Sequence, residues 1–297
     1  MVFGLLVVHK PIGPTSHDIV AAVRRGTGER RVGHGGTLDP LAEGVLLLGL
    51  GQATRLLEYA SNHDKAYRAR VMLGVETDTY DAEGEVLAQS ADPCGPPLSE
   101  VEEVLDQFRG EIRQTPPAYS ALKIDGKAAY KRARAGEAVE LAPRYVSIYE
   151  LRLEAFEPPW VELYVHCSSG TYIRTLAHDI GQALECGAHL ARLTRLASGH
   201  FTLEEAISWE VLTKAFKDGT WSECLISPDS LLAETPELHL DESCTKKIRS
   251  GQAIAISPVQ PGLGRAYDPA GQFIAVVKGD AGAGVWRPHK VFAQPAS

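Results

Sequence analysis

The sequence lacks any apolar run long enough to cross a membrane. A spanning helix requires about 20 consecutive apolar residues, and no run in this chain approaches that length. Residues 1–8 also lack the basic start and the cleavage site of a secretory signal peptide. We therefore expect a protein that resides in the cytoplasm and does not contact a membrane.

Cysteine is scarce, and its spacing excludes two kinds of site. The five cysteines are odd in number and show no paired short spacing, so neither a disulfide framework nor a zinc knuckle is indicated. A glycine-rich dinucleotide-binding motif is also absent. We expect reduced thiols and no metal site; the cysteines are Cys94, Cys167, Cys186, Cys224 and Cys244.

Positive charge is in deficit, because the net charge is −8 at pH 7. Nucleic-acid-binding proteins usually gain affinity from Lys and Arg side chains that neutralise phosphates, so the sum argues against such a partner. Residues 122–144 nevertheless carry a local surplus of basic side chains. Charge alone leaves open whether this segment binds a nucleic acid or is an ordinary solvated helix face; its basic residues are Lys123, Lys127, Lys131, Arg132, Arg134 and Arg144.

What the sequence does contain is typical of a packed globular protein. Hydrophobic residues make up 44% and charged residues 23%, close to average usage. A length of 297 residues exceeds what one core usually supports, so we expect one large and one small domain. Short apolar runs separated by Gly and Pro begin after Pro236 and predict a β-rich appendage. The predicted domains are 1–233 and 234–297.

Apolar periodicity and turn residues predict a mixture of strands and helices. A capping box at Thr15 and Asp18 predicts a helix that ends near Gly26. Because strands and helices do not alternate regularly, we predict an α+β fold on a largely antiparallel mixed sheet rather than a doubly wound fold. The other predicted elements are strands at 5–9, 67–73, 146–153 and 160–167 and helices at 101–108 and 171–184.

Asp39 is the most informative residue. Gly33, Gly35 and Gly36 permit tight backbone before it, and Pro40 disfavours helical geometry at the aspartate. An Asp before a Pro is also a common helix start, with Asp as the N-cap and Pro as the first helical residue. From the residues alone, a helix cap and a carboxylate held for catalysis are equal alternatives.

Seven segments together resemble one known family and occur in that family's order. The longest, GHGGTLDPLAEGVL, contains Asp39. On these residues the chain resembles the TruB family, the tRNA pseudouridine-55 synthases, which would make it an isomerase acting on the T loop of tRNA. The segments are 8–11, 15–18, 33–46, 65–68, 77–81, 116–123 and 169–175.

The resemblance implies a reaction without a metal or an organic cofactor. The target nucleotide flips out, and the uracil is detached from ribose at N1, turned and reattached through C5. Asp39 matches the family's essential aspartate, Arg174 matches the arginine that keeps it ionised and oriented, and Tyr67 matches a tyrosine that stacks on the uracil and relays a proton. Asp39 could add to the base, add to the sugar, or help remove a sugar proton to give a glycal; we favour the glycal route.

Five further positions match residues around that site. His34 would enter the base stack that the flipped nucleotide leaves. Lys10 would contact phosphate or support the active site, and Tyr172 would order the Asp–Arg pair. Leu193 would press on the base. Asp81 would meet the RNA or the closing loop.

The basic segment corresponds in the family to an insertion, at about 115–145 here, that closes over the T arm of tRNA and binds phosphates. The appendage resembles a small β-barrel of the PUA type, in which Lys290 could touch the acceptor arm. We expect tRNA as the partner, no obligate protein partner and a monomer. The expected RNA contacts of the insertion are Lys123, Lys127, Lys131 and Arg132.

Three residues depart from the family pattern. Gly35 replaces the usual Thr and is expected to loosen the loop that presents Asp39. Glu43 replaces a residue that is often small, and His9 replaces the Asp before Lys10. None of them removes the proposed catalytic group.

Two other classes of function remain as alternatives. An RNA-binding protein could use the same surface without chemistry, although retention of Asp39, Tyr67 and Arg174 together argues against it. A two-carboxylate hydrolase of glycosidic bonds would need a second acid, and the sequence singles out none beside Asp39. The residue pattern of a zinc deaminase is absent.

Overall fold

A computed structural model describes residues 2–90, 95–119, 123–124, 127–128, 132, 137 and 141–292, with the backbone alone at 123–124 and 127–128. Its helices are α1 (Ser16–Thr27), α2 (Leu57–Asn62), α3 (Leu98–Asp106), α4 (Ile173–Ala183), α5 (Trp209–Asp218) and α6 (Glu242–Arg249). Its strands are β1 (Phe3–Lys10), β2 (Val32–His34), β3 (Ala42–Gly51), β4 (Lys65–Leu73), β5 (Val75–Thr77), β6 (Val86–Gln89), β7 (Gly110–Gln114), β8 (Lys123–Ile124), β9 (Lys127–Ala128), β10 (Arg144–Glu157), β11 (Trp160–Cys167), β12 (Ala188–Ser198), β13 (Phe201–Thr202), β14 (Ile207–Ser208), β15 (Glu237–His239), β16 (Gly262–Tyr267), β17 (Phe273–Asp280) and β18 (Val285–Val291).

One large sheet organises the protein. Its strand order is β14-β1-β3-β12-β4-β11-β10-β7, with β2 paired to β3 and β13 paired to β12. The pairs β1–β14 and β3–β12 are parallel, and the other pairs in this sheet are antiparallel. The predicted α+β fold on a largely antiparallel mixed sheet is confirmed. Each strand and helix predicted between residues 5 and 184 is present; the strand at 160–167 has the predicted bounds, and the others are shifted at one or both ends.

The first strand and the first helix show why the local predictions hold. The side chain of Thr15 accepts a hydrogen bond from the Asp18 backbone N–H and the Asp18 carboxylate accepts one from the Thr15 backbone N–H, so the predicted capping box forms. In β1, Leu6 and Val8 pack with α1, whereas Leu5 and Val7 belong to a second core cluster. Both faces of β1 are covered, which explains its continuous apolar run.

Helix α4 covers the other half of the sheet. Leu176 and Ile180 pack in one core cluster with Val71 of β4 and with Leu163 and Val165 of β11. These residues recur at helical spacing in α4 and at alternating spacing in the strands, as burial of one face requires. Because this packing fixes the first turn of α4, it also fixes the position of Arg174.

The β-rich appendage is confirmed as a four-stranded sheet of order β15-β16-β17-β18 with its own core. Within the described residues this sheet is open, so the predicted closed barrel is not observed. The apolar run at 253–256 is not a strand and contributes an isolated bridge between Ile254 and Trp286. Lys290 lies 2.6 Å from Glu58 of the main sheet's domain, so its ammonium is occupied by an interdomain ion pair.

Among the described residues, no helix has the length and apolarity needed for a membrane span. The four cysteines in the described part of the chain are free thiols.

Candidate active site

Asp39 lies in the loop between β2 and β3. The backbone N–H of Ala42 donates to the Asp39 carbonyl at 3.1 Å, and the N–H of Gly13 donates to the Pro40 carbonyl at 2.8 Å. This is a tight turn with Pro at its second position, which the fixed φ of proline favours. The chain continues directly into β3. The alternative reading of Asp39 as a helix N-cap is therefore wrong.

Two hydrogen bonds between Ser16 and Leu38 hold this loop. The Ser16 hydroxyl donates to the Leu38 carbonyl at 3.0 Å and accepts from the Leu38 N–H at 2.8 Å. Ser16 is 1% exposed at the start of α1, so these bonds form away from competing water. The residue before Asp39 is thereby tied to a helix of the core.

The structural role of Gly35 differs from the one expected. Its N–H donates to the Leu47 carbonyl at 2.9 Å, and a Cβ placed on it would lie 2.6 Å from the Cβ of Ala60. Real Cβ atoms essentially never come that close. The glycine therefore lets the loop pack against α2, and the expected loosening is not observed.

Arg174 joins Asp39 to a second carboxylate. Its Nε lies 3.1 Å from Oδ2 of Asp39, and its Nη1 lies 3.2 Å from Oδ2 of Asp81. Nη1 and Nη2 also donate to the carbonyls of Thr79 at 3.2 Å and Tyr119 at 3.0 Å. A rigid guanidinium with several donors can satisfy all four oxygens, which a lysine cannot.

Asp81 is buried, with only 5% of its side chain exposed. Its Oδ1 accepts from the Thr79 hydroxyl at 2.6 Å and from the Glu83 N–H at 3.1 Å. The structure therefore places it behind Arg174, and the expected contact of Asp81 with the RNA or the closing loop stays a prediction. It is also a second carboxylate close to Asp39, which sequence reasoning missed.

The Asp39 carboxylate opens into a cleft of about 340 Å³. Its side chain keeps 39% of its surface exposed, whereas that of Arg174 keeps 7%. The buried arginine therefore orients a carboxylate that a ligand can still reach. Of the predicted residues, this cleft is lined by Asp39, Tyr67, Tyr172, Arg174 and Leu193.

Burial raises the pKa of Asp39, and the positive charges of Arg174 and Lys10 oppose this rise. Lys10 is fully buried, and its Nζ donates to the carbonyls of Ala42 at 2.6 Å and Pro11 at 2.9 Å. Burial lowers the pKa of Lys10 to about 8. Of its two expected roles, support of the site agrees with this position, whereas a phosphate could not reach the ammonium.

His34 ends β2 outside the lining of the cleft. Its ring packs edge-on against that of His17, with centroids 5.2 Å apart. Burial lowers the pKa of His34 to about 4. The imidazole is therefore neutral at pH 7, which suits a ring that stacks between bases rather than one that binds phosphate.

The basic segment is described only in part. The backbones of Lys123 and Lys127 lie in the β8–β9 hairpin, and Lys131 lies outside the described residues. Arg132 forms an ion pair with Glu137 at 2.7 Å. Arg144 from the same segment lines the cleft, and its guanidinium lies over the ring of Tyr172, 4.6 Å from its centroid.

Two basic residues of the cleft were not predicted. Arg195 lies on the same face of β12 as Leu193, and Lys65 on the same face of β4 as Tyr67. Both are buried. In a strand whose residues alternate between buried and exposed, a charged residue at a buried position is unusual. This pattern in the sequence could have identified both residues.

Two departures from the family pattern contact each other. Nε2 of His9 lies 3.7 Å from Oε2 of Glu43, and the Thr194 hydroxyl donates to Oε1 of Glu43 at 3.2 Å. The side chains of His9 and Glu43 are each about one third exposed. Their contact lies on the neighbouring strands β1 and β3, apart from the Asp39 carboxylate.

A second cavity of about 500 Å³ lies nearby, lined by His63, His166 and His200 among others. It is larger than the Asp39 cleft, but the described residues that line it include no arginine. Size alone would have selected the wrong cavity, and the charge arrangement identifies the candidate active site.

A carboxylate that is open to a cleft and oriented by a buried arginine is typical of the active site of an enzyme. Residues 24–173 match the TruB family pseudouridylate synthase N-terminal domain, and residues 174–233 match the tRNA pseudouridylate synthase B C-terminal domain. The chain therefore belongs to the TruB family of pseudouridylate synthases.

Similar proteins agree with this assignment. A protein of Syntrophotalea carbinolica called tRNA pseudouridine synthase B is 46% identical over 84% of this chain and 80% of its own length. One of Dehalococcoides mccartyi with the same name is 40% identical over 97% of this chain and 96% of its own. A crystal structure of a Cbf5-Nop10-Gar1 complex contains a chain that is 26% identical, with a TM-score of 0.74, covering 98% of this chain and 85% of that one.

Proposed function

We propose that the protein converts uridine 55 in the T loop of tRNA to pseudouridine, with Asp39 as the essential carboxylate. Pseudouridine formation in tRNA follows from membership of the family and from relatives called tRNA pseudouridine synthase B. The choice of uridine 55 rests on the motifs around Asp39. The observation that carries the proposal is the accessible Asp39 carboxylate, oriented by Arg174 at 3.1 Å.

The cleft has the right size and chemistry for one extruded nucleotide. Its volume of about 340 Å³ lies at the lower end of the range for small-molecule pockets, ~300–1,000 Å³. An enzyme that acts on a base must take it out of its stack. Tyr67 and Leu193 line the cleft with flat aromatic and apolar surface, against which a uracil ring can pack.

The reaction breaks the N1–C1′ bond, forms a C5–C1′ bond, removes the C5 proton and adds a proton at N1. It is an isomerisation, so no atom is gained or lost overall. On each of the three routes open to Asp39, the carboxylate must be ionised, because a protonated acid neither attacks carbon nor accepts a proton. Arg174 opposes the effect of burial on the Asp39 pKa and therefore favours the reactive form.

His34 is the proposed residue that occupies the base stack after the nucleotide leaves it. Its neutral, partly buried ring is held against His17 at 5.2 Å, which limits the entropy lost when a base stacks on it. Arg132 and the lysines at 123, 127 and 131 are the proposed phosphate contacts. Their roles predict a fall in RNA affinity, without a change in chemistry, when they are replaced.

The two alternative functions are less well supported. A binding protein without chemistry does not require a buried arginine shared by two carboxylates, since burying those charges carries a cost. A glycosidic hydrolase needs a second acid that water can reach. Asp81 is the second carboxylate, but its side chain is 5% exposed and engaged by Arg174.

The proposal is tested with tRNA carrying tritium at C5 of uridine. We expect the wild-type protein to release tritium, and Asp39→Asn to bind the tRNA with unchanged affinity but release none. Asp218→Asn is the matched control, because Asp218 is also ion-paired, with Lys214, and its side chain is 45% exposed. Tritium release by Asp39→Asn at the wild-type rate would refute the proposed role of Asp39.

The substrate is tested separately. An isolated T-arm stem-loop should be converted, and the same stem-loop with cytidine at position 55 should not. Modification at another uridine, or a requirement for the anticodon arm, would contradict the proposed position while leaving pseudouridine formation intact.

A further inference from the structure

Arg195 is a buried arginine beside the Asp39 loop. It is 2% exposed and lies in β12, between β3 and β4. Within the described part of the chain, no carboxylate lies within 4.0 Å of its guanidinium, since it is absent from the ion pairs found there. A buried charge without a charged partner is costly, so its retention calls for a reason other than stability.

The guanidinium binds backbone oxygens on both sides of Asp39. Its Nε donates to the Val45 carbonyl in β3 at 2.6 Å. Its Nη1 and Nη2 donate to the carbonyls of Thr37 at 3.4 Å and Gly36 at 3.3 Å. The loop that carries Asp39 is thereby tied to the strand that follows it, through three neutral backbone oxygens.

Arg195 also lies opposite Tyr67 in the β4–β12 pair, and both residues line the cleft. A guanidinium has donors and no acceptor. When Arg195 donates to Tyr67, the Tyr67 oxygen is therefore the acceptor, and the O–H hydrogen of Tyr67 points elsewhere. Tyr67 lines the cleft together with Asp39, so the cleft is where that hydrogen can find a partner.

We propose that Arg195 is a positioning residue that holds the Asp39 loop and the Tyr67 hydroxyl in register and makes Tyr67 a hydrogen-bond donor towards the nucleotide in the cleft. The inference rests on the proposed function, because it assigns a role within the same reaction. Burial raises the pKa of Tyr67, with Arg195 opposing the rise, so the phenol carries its proton at neutral pH.

The backbone around Arg195 leaves it little freedom. Gly44 has a φ of +111°, and a Cβ on it would lie 2.2 Å from the Arg195 carbonyl oxygen. Strands β3 and β12 therefore approach each other at Gly44 more closely than any residue with a Cβ would allow. A lysine at 195 would offer one nitrogen from this fixed backbone position, where the arginine offers three to separate oxygens.

The test uses the full-length protein, a T-arm substrate and three variants: Arg195→Lys, Arg195→Met and Arg192→Met. Arg192 is exposed on the same strand and serves as the control. We expect kcat to fall about 10- to 100-fold in both Arg195 variants, with KM changed by less than about twofold and with the control unchanged. A kcat of Arg195→Met equal to that of the wild type would overturn the proposal.

A double-mutant cycle with Tyr67→Phe separates positioning from a general loss of structure. If Arg195 acts through the Tyr67 hydroxyl, most of the kcat loss in Arg195→Met disappears in the Tyr67→Phe background. Additive losses would overturn the proposal, as they are expected when Arg195 only stabilises the fold. Should Arg195→Met fail to fold, Arg195→Lys takes its place in the cycle. Failure of the wild-type protein to modify the T arm would instead refute the proposed function.

Discussion

Asp39 and Asp81 bind one guanidinium. Nε of Arg174 lies 3.1 Å from the first carboxylate and Nη1 lies 3.2 Å from the second. Asp81 and Arg174 are both buried, whereas the Asp39 side chain remains 39% exposed. The buried Arg174–Asp81 pair therefore holds the exposed Asp39 carboxylate in place.

The shape of the Arg174 side chain is as important as its charge. We expect Arg174→Lys to lower kcat about 10- to 100-fold, because a single ammonium cannot replace the ion pair with Asp39 together with hydrogen bonds to three further oxygens. Single-turnover rates with tRNA measure this effect. Arg70→Lys is the control, since Arg70 forms a partly exposed pair with Glu162 at 3.3 Å. Equal rates for Arg174→Lys and the wild type would show that charge alone is sufficient.

Asp81 should affect both stability and rate. Asp81→Asn keeps the shape of the side chain but removes its charge. The buried Arg174 guanidinium then loses one of its two carboxylate partners and keeps Asp39. We expect a loss of about 2 kcal/mol in the free energy of unfolding and a fall in kcat with unchanged tRNA affinity. Urea denaturation and filter binding measure the two quantities. A variant that loses only RNA affinity would instead support a direct RNA contact.

Lys10 predicts a pH dependence of stability. Its pKa is lowered from 10.5 to about 8 by burial, so the folded state releases the proton at a lower pH than the unfolded chain. The buried ammonium therefore destabilises the fold fully below pH 8, and this penalty vanishes as the pH rises to 10.5.

The measurement compares the free energy of unfolding of Lys10→Met with that of the wild type. The difference, variant minus wild type, should decrease by about 3 kcal/mol between pH 8 and 10.5. Lys217→Met, at an exposed lysine of α5, is the control for the loss of a lysine at the surface. A constant difference for Lys10→Met would contradict the lowered pKa.

Gly44 tests the close approach of β3 and β12. We expect Gly44→Ala to lose about 3 kcal/mol or more in the free energy of unfolding, because its Cβ would overlap the Arg195 backbone at an unfavourable φ. Gly28→Ala is matched to it, since Gly28 also has a positive φ, +72°, but nothing lies within 4 Å of the added Cβ. Its loss should be about 1 kcal/mol. Equal losses would exclude an effect of crowding.

Local sequence patterns predicted the helices and strands well, because the formation of each helix or strand depends on residues that are close together in the chain. The capping box of Thr15 and Asp18 forms in the structure, and the alternation of residues 160–167 becomes β11. The closed barrel predicted for the appendage is not observed in the described residues. Closure depends on pairing between strands that are distant in the chain, which local patterns do not specify. The domain boundary at 233/234 and the likeness of the appendage to a PUA domain stay predictions.

The sequence by itself determined the family, the mixed fold and the importance of Asp39, because motif order and local periodicity survive without coordinates. Only the tertiary structure decided that Asp39 starts a tight turn rather than a helix, that Asp81 lies behind Arg174, and that Lys10 is inaccessible to phosphate. It also brought Arg195 beside Tyr67. Contacts of this kind join residues far apart in the chain, and their geometry is set by strand order and by packing, which no local pattern records.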